Sequence, residues 1–230
     1  CLFGKIGLRK SLYDPVFYAH RGACKTFTVE NQIVIAYAPF GLEPIMENET
    51  LIKMAGISKI FPGVTANNNV DFELYPAEIH SILGENGAGK TTLMKILAGM
   101  HQPDDGTIMI RNRAVKIRSP LDSLKLGIGM VYQHFTLVPN LTVIENLVLG
   151  FENGPFLSLN KAKQKLQQLS ETYGLSIDPD RKIQDLSVSE QQRTEILKLL
   201  FHDSDILILD EPTSGLDPNQ IVEIRKIIKR

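Results

Sequence analysis

From residue 50 to residue 228 the hydrophobic positions switch repeatedly between two periods. Apolar runs at 51–54, 70–74, 78–83, 127–132 and 205–209 predict strands, with glycine, proline, asparagine or aspartate in the segments that separate them. Residues 90–98, 120–126, 160–173, 188–201 and 219–228 predict helices, and in 160–173 Leu166, Leu169 and Tyr173 fall on one face. Two shorter runs, 106–110 and 114–117, predict a small antiparallel piece. Strands alternating with helices are the pattern of an α/β domain. No internal repeat is visible.

Residues 1–45 do not share this pattern. They show no clear periodicity and no motif, and the text changes at Met46, which is followed by an acidic lead and then the first strand-like run. Two readings stay open: a foreign or disordered segment with Met46 as the natural start, or a genuine N-terminal extension. On either reading the segment is expected to be dispensable for ligand binding, since every motif lies downstream of it.

Composition narrows the class further. A net charge of −1 gives no global attraction to nucleic acid or to an anionic membrane surface. The two cysteines, Cys1 and Cys24, have no metal-ligand spacing, so a reducing compartment is the default. The longest apolar stretches, 33–38 and 206–209, fall far short of the ~20 residues a membrane helix needs. No charged start followed by an apolar run suggests a signal peptide. The chain begins with Cys, which a mature lipoprotein would also do, but truncation or an artificial frame is the better reading beside the motifs below.

The strongest of these motifs is Gly84-Glu85-Asn86-Gly87-Ala88-Gly89-Lys90-Thr91, followed by Thr92, a full match to the phosphate-binding P-loop pattern. It sits between a predicted strand and a predicted helix, the context the pattern requires. Glycines let backbone approach phosphate oxygens closely, and successive N–H groups at a helix start face the anion. Lys90 is placed to reach the β- and γ-phosphates of a nucleotide and Thr91 to ligate Mg²⁺. Downstream, the apolar strand 206–209 ends in Asp210 and Glu211. Asp210 is expected to hold Mg²⁺, and Glu211 to polarise an attacking water as general base.

These residues resemble the ATP-binding cassette (ABC) family. Asp210-Glu211-Pro212-Thr213-Ser214-Gly215-Leu216-Asp217 looks like its Walker B and D-loop, and Leu186-Ser187-Val188-Ser189-Glu190-Gln191-Gln192-Arg193 is similar to its signature, usually LSGGQ. Val131-Tyr132-Gln133 resembles the Q-loop, and Phe61 stands where the family has an aromatic A-loop residue. The order of motifs also agrees over about residues 50 to 230. The resemblance implies that Phe61 stacks on adenine and that Gln133 touches Mg²⁺ or the hydrolytic water. It implies that Leu186, Ser187, Val188, Ser189 and Glu190 act in trans on the γ-phosphate held by an opposing module, with Asp217 at the same interface.

Two features depart from the family pattern. Val188 and Ser189 replace the signature glycines. Valine is familiar in ATPases of sugar and nucleoside importers, which read close to LSVGEQQR, but serine at 189 is not. The family's switch histidine is expected beyond Arg230, so weak turnover is expected of these residues. Phe61-Pro62-Gly63-Val64 and Gln191-Gln192-Arg193 followed by Glu195-Ile196-Leu197-Lys198 also lean towards sugar and nucleoside importers, as most of a first cassette, whereas Ser214-Gly215-Leu216-Asp217 is the general ABC D-loop.

The resemblance therefore implies an α/β fold: a RecA-like P-loop NTPase core with an antiparallel β-subdomain (51–80 and 105–118) and a helical subdomain at about 137–190, within a domain spanning 46–230. It implies Mg²⁺-dependent ATP binding and hydrolysis by a head-to-tail dimer on the cytoplasmic face of the inner membrane. The implied partners are permease subunits docking near 133–140, a second ABC module and, indirectly, a solute-binding protein, without nucleic acid. The alternatives are a non-transport ABC ATPase of translation or repair, and a regulatory module that binds ATP with little turnover.

Overall fold

The computed structural model describes residues 17–19, 33–37, 50–76, 79–132, 135–149 and 158–210. In chain order the first elements are β1 (Phe17–Ala19), β2 (Ile33–Tyr37), β3 (Ile52–Phe61), β4 (Val64–Leu74), β5 (Ile79–Leu83) and α1 (Lys90–Leu97). Next come β6 (Asp105–Ile110), β7 (Arg113–Val115), α2 (Pro120–Lys125), β8 (Ile128–Val131) and α3 (Val143–Val148). The described part ends with α4 (Leu159–Tyr173), a short 3-10 turn (Ile183–Asp185), α5 (Val188–Phe201) and β9 (Ile206–Asp210). The expected helix 219–228 lies outside the described residues.

The fold is α/β, with a P-loop core, an antiparallel sheet and a helical layer. The antiparallel sheet has the order β4-β3-β6-β7. Its leading hairpin is much longer than the runs 51–54 and 70–74 suggest, because the pairing of β3 with β4 slips at three points between Met54 and Ile60 and so breaks the alternation. Pro62 and Gly63 turn that hairpin, with Gly63 at φ 81, a conformation that costs glycine little.

The central sheet has the order β1-β5-β2-β9-β8. β8 and β9 are parallel, and β2 runs antiparallel to both β5 and β9. It follows that β5, β9 and β8 point the same way, with β2 reversed among them. The two strands from the first 45 residues are thus the antiparallel members of this sheet. Both pair with β5, and Ile35 is fully buried in the main core. Of these described parts of residues 1–45, β1 lies at the edge of the sheet and β2 at its centre, between β5 and β9.

Two apolar clusters organise the interior. One lies between the sheets and α1, built on Leu51, Met54, Phe72, Leu93, Met94 and Ile208 among others. The other joins the helices to β8 and β9 through Leu147, Leu166, Leu169, Leu197 and Leu207. α4 buries Ala162, Leu166 and Leu169 and stops at Gly174, so its apolar face is the expected one. α3 escapes the periodicity because it is only six residues long. A capping box marks its start: Thr142 Oγ1 accepts the Glu145 N–H while Glu145 accepts the Thr142 N–H.

A side-chain pin ties the two sheets together. At the β6–β7 turn Arg111 donates from Nη1 to Leu126 O at 3.0 Å and pairs through Nη2 with Asp205, whose side chain is 3% exposed. Burial pushes the Asp205 carboxyl up from its ordinary range, and the Arg111 guanidinium opposes that shift. Removing the cation leaves a buried carboxylate uncompensated. Arg111→Met is expected to destabilise the fold by roughly 2–3 kcal/mol, the arginine being partly exposed. Urea unfolding of the variant checks this, and a change below about half a kcal/mol would place the pair with ordinary surface bridges.

Candidate functional site

β5 delivers the chain into the loop 84–89, and α1 begins at Lys90. Gly89 caps the helix without any side-chain bond, at φ 85, so the first-turn N–H groups have no capping oxygen of their own. A Cβ at Gly89 would lie 2.1 Å from Ala66 O, so the close passage of β4 admits only glycine there. Asn67, 4% exposed, donates from Nδ2 to Gly89 O at 3.2 Å and fixes the loop from the antiparallel sheet. Ala88 N–H donates to Glu85 O at 3.2 Å, closing the turn.

Glu85, Asn86 and Gly87 form the exposed rim of the loop, while Gly84, Ala88, Gly89, Thr91 and Thr92 are half-buried. Lys90 is buried and folds back over the loop, donating to Gly84 O at 2.7 Å and Glu85 O at 2.9 Å. Carbonyls thus satisfy an ammonium that is set among the loop's own backbone. One residue on, Thr91 Oγ1 donates to Asp210 Oδ1 at 3.2 Å, joining the start of α1 to the end of β9. Sequence reading places these two side chains together, and the structure does so across 119 positions of chain.

Phe61 ends β3, and its ring meets the His101 ring in a T-shaped contact at 5.4 Å. The Lys59 ammonium sits 5.6 Å from the centre of the same ring. Lys59 pairs in register with Asn67, so the strand positions beside Phe61 reach the loop through one ladder rung.

Leu186 is buried, and Ser187 caps α5 through a capping box. The Ser187 N–H and hydroxyl each donate to Glu190 Oε2 at 2.8 Å, and Glu190 N–H returns to Ser187 Oγ at 3.3 Å. Arg181 Nη1 donates to Glu190 Oε1 at 2.7 Å. The Ser187 donors hold the Glu190 carboxyl below its ordinary range, with Arg181 adding to the shift. Val188 is 55% exposed, a large apolar side chain presented outward at the start of the helix. Ser187 and Val188 are both exposed, so they face outward at this helix end.

Gln133, Glu211 and Asp217 lie outside the described residues. The sequence reading passed over the contacts that hold Thr136 and Val138 after β8. Glu195, 3% exposed on α5, accepts from Thr136 N–H at 2.5 Å and Thr136 Oγ1 at 3.0 Å, gripping the loop that follows β8. Asn146 grips it again at Val138, accepting its N–H at 2.7 Å and donating to its carbonyl at 3.1 Å. A charged residue at a buried position of an otherwise regular helix was the available signal for Glu195.

Strand, glycine-rich turn, Lys-Thr at a helix start and an aspartate at the end of a second strand define a P-loop NTPase. Residues 67–214 match the family described as ABC transporter, and the chain belongs to that family. It is 50% identical over 186 residues to the nucleoside import ATP-binding protein NupA of Lactococcus lactis, covering 80% of this chain and 37% of that protein. It is 49% identical over 183 residues to the guanosine import ATP-binding protein NupO of Bacillus subtilis, covering 79% and 36%. The ribose import ATP-binding protein RbsA 1 of Rubrobacter xylanophilus is 44% identical over 182 residues, covering 78% and 36%.

The chain thus spans little more than a third of the length of the curated relatives it matches. Among solved structures, cbiO1 from Clostridium perfringens, part of the ABC transporter complex cbiONQ, superposes with a TM-score of 0.64 at 26% identity, covering 79% of this chain and 73% of that one. The dimeric structure of MJ0796, a bacterial ABC transporter cassette, gives a TM-score of 0.64 at 25% identity, with coverage of 77% and 81%. The fold is therefore that of an ABC cassette: RecA-like core, antiparallel β-subdomain and α-helical subdomain.

Proposed function

We propose that this chain is the nucleotide-binding part of an ABC importer for a sugar or nucleoside, binding and hydrolysing Mg-ATP at a membrane permease. The observation that carries the reading is the convergence of Lys90, Thr91 and Asp210 on the Gly84–Gly89 loop. Similarity to nucleoside and ribose import ATP-binding proteins supports the substrate class. Among the described residues no helix is long and apolar enough to cross a membrane. Residues 46–230 would form the ATP-binding domain and about 137–190 its helical subdomain, with strands from 1–45 added to its sheet.

The loop N–H groups and Lys90 would bind the β- and γ-phosphates, and Phe61 the adenine. Two hard oxygens, Thr91 Oγ1 and Asp210 Oδ1, lie within 3.2 Å of each other beside the loop, a donor set that fits Mg²⁺, with Gln133 as the further ligand. When bound, the ion neutralises charge on the phosphoryl oxygens. Glu211 would accept the proton of the attacking water. The outward-facing start of α5, with Ser187 at its tip, would meet the γ-phosphate of a second module, and Glu190 would have to yield the Ser187 hydroxyl for that contact.

A site completed in trans makes turnover depend on protein concentration. Phosphate release from Mg-ATP is expected to rise faster than linearly with the concentration of the chain, at a low overall rate. Ser189→Gly, which removes a Cβ from the face turned to the partner, is expected to raise it several-fold, on the order of a 1 kcal/mol change in barrier. Strictly linear, undiminished hydrolysis would count against the paired arrangement.

A further inference from the structure

The ring of Phe61 does not stand alone. Asp104, in the segment that returns from α1 to β6, accepts the Ile60 N–H at 2.7 Å and the Lys59 ammonium at 2.9 Å. Its own N–H donates to Ser58 O at 2.9 Å, so three successive residues ahead of Phe61 are tied to one aspartate. Lys59, thus held, lies 5.6 Å from the centre of the Phe61 ring, its side chain only 15% exposed. His101, three residues before Asp104, makes the T-shaped contact with the same ring. Ile60 between them is 61% exposed and points away.

The pair does little for stability, since its Asp104 end is 44% exposed and solvent screens the bridge. Its effect is on geometry. A phenylalanine at a strand end has free rotation about two side-chain bonds, and a base stacks well only on a ring already set at one angle. A cation over one part of the π-system and an imidazole edge-on to it restrict that freedom. The Lys59 ammonium first, and the Ile60 N–H next, hold the Asp104 carboxyl below its ordinary range, so it stays an acceptor at neutral pH.

We infer that Asp104 and Lys59 are positioning residues for Phe61, setting the aromatic platform for the nucleotide base through the segment that follows the P-loop helix. The inference rests on the proposed stacking of adenine on Phe61. It links the base end of the site to α1, whose first residues form the phosphate end, so the stretch of chain that binds the phosphates would also orient the ring that takes the base.

The test compares binding of Mg-ATP with binding of Mg-tripolyphosphate, which has the phosphates and no base, by titration calorimetry on the full chain. Asp104→Ala is expected to weaken ATP roughly 5- to 10-fold and Lys59→Met roughly 3-fold, with tripolyphosphate unchanged in both. Asp104→Asn keeps the acceptor for Ile60 N–H and is expected to fall between wild type and Asp104→Ala. If Phe61→Ala weakens ATP while Asp104→Ala and Lys59→Met do not, the platform stands and the positioning role is overturned. If Phe61→Ala itself leaves ATP binding unchanged, the stacking reading fails and this inference goes with it. Parallel loss of ATP and tripolyphosphate in both Asp104→Ala and Lys59→Met would make the pair merely structural and overturn the inference. Lys59→Met, which preserves the length of the largely covered side chain, keeps the question answerable should Asp104→Ala not fold.

Discussion

Lys90→Ala is expected to remove most of the affinity for Mg-ATP while leaving the fold intact. The ammonium is buried and already desolvated, held by Gly84 O and Glu85 O. Transfer from two neutral carbonyls to phosphate oxygens replaces neutral acceptors with charged ones, the stronger kind of bond. Truncating one member of such a buried charged contact costs about 2–5 kcal/mol of binding, or roughly 30- to several thousand-fold in Kd. Folding loses only the two carbonyl bonds, so the melting temperature should shift by a few degrees at most. Lys90→Arg should not restore binding, because a planar guanidinium does not fit a place shaped for a compact point charge. Titration of wild type and variant with Mg-ATP settles the matter, and equal affinities would mean that nucleotide does not occupy this loop.

The loop was legible because its requirements are local. Glycines for positive φ, an uncapped helix start and Lys-Thr in the first turn all sit within nine residues of sequence, so the spacing alone carries the chemistry. Asp210 was legible because an unbroken apolar run must end somewhere, and its first polar residue emerges at the strand tip. The grip of Asn67 on Gly89 was not, since it depends on β4 passing over the loop, and three asparagines in a row read as turn residues. Nor were the true lengths of β3 and β4, whose alternation is broken by the slips in pairing. Phe61 illustrates the intermediate case. Only family resemblance marks it in the sequence, and its surroundings combine its own strand, through Lys59, with the distant segment that carries His101 and Asp104.

A chain beginning at Met46 is expected to lose at least about 2 kcal/mol of stability, beyond the range of a surface change, and to bind nucleotide poorly. The lack of periodicity in residues 1–45 suggests the opposite, dispensability, and the sheet order gives the reason to reverse that expectation. β2 pairs residue by residue with β5 on one side and with β9 on the other. Those two strands carry the P-loop and Asp210, so β2 sets the spacing across which Thr91 reaches Asp210 at 3.2 Å. Deleting it opens two adjacent rows of backbone donors and acceptors at the centre of the sheet and empties the place of Ile35, which is fully buried. Leaving β5 and β9 apart exposes the core, whereas closing them together moves the aspartate relative to the loop; either outcome disturbs the site. Ile35→Ala isolates the packing part and should cost roughly 2–5 kcal/mol in the full chain. Denaturant unfolding and ATP titration of both proteins provide the measurement. A Met46 chain as stable as the full one, binding ATP with the same affinity, would mean that β5 and β9 hold their places without β2.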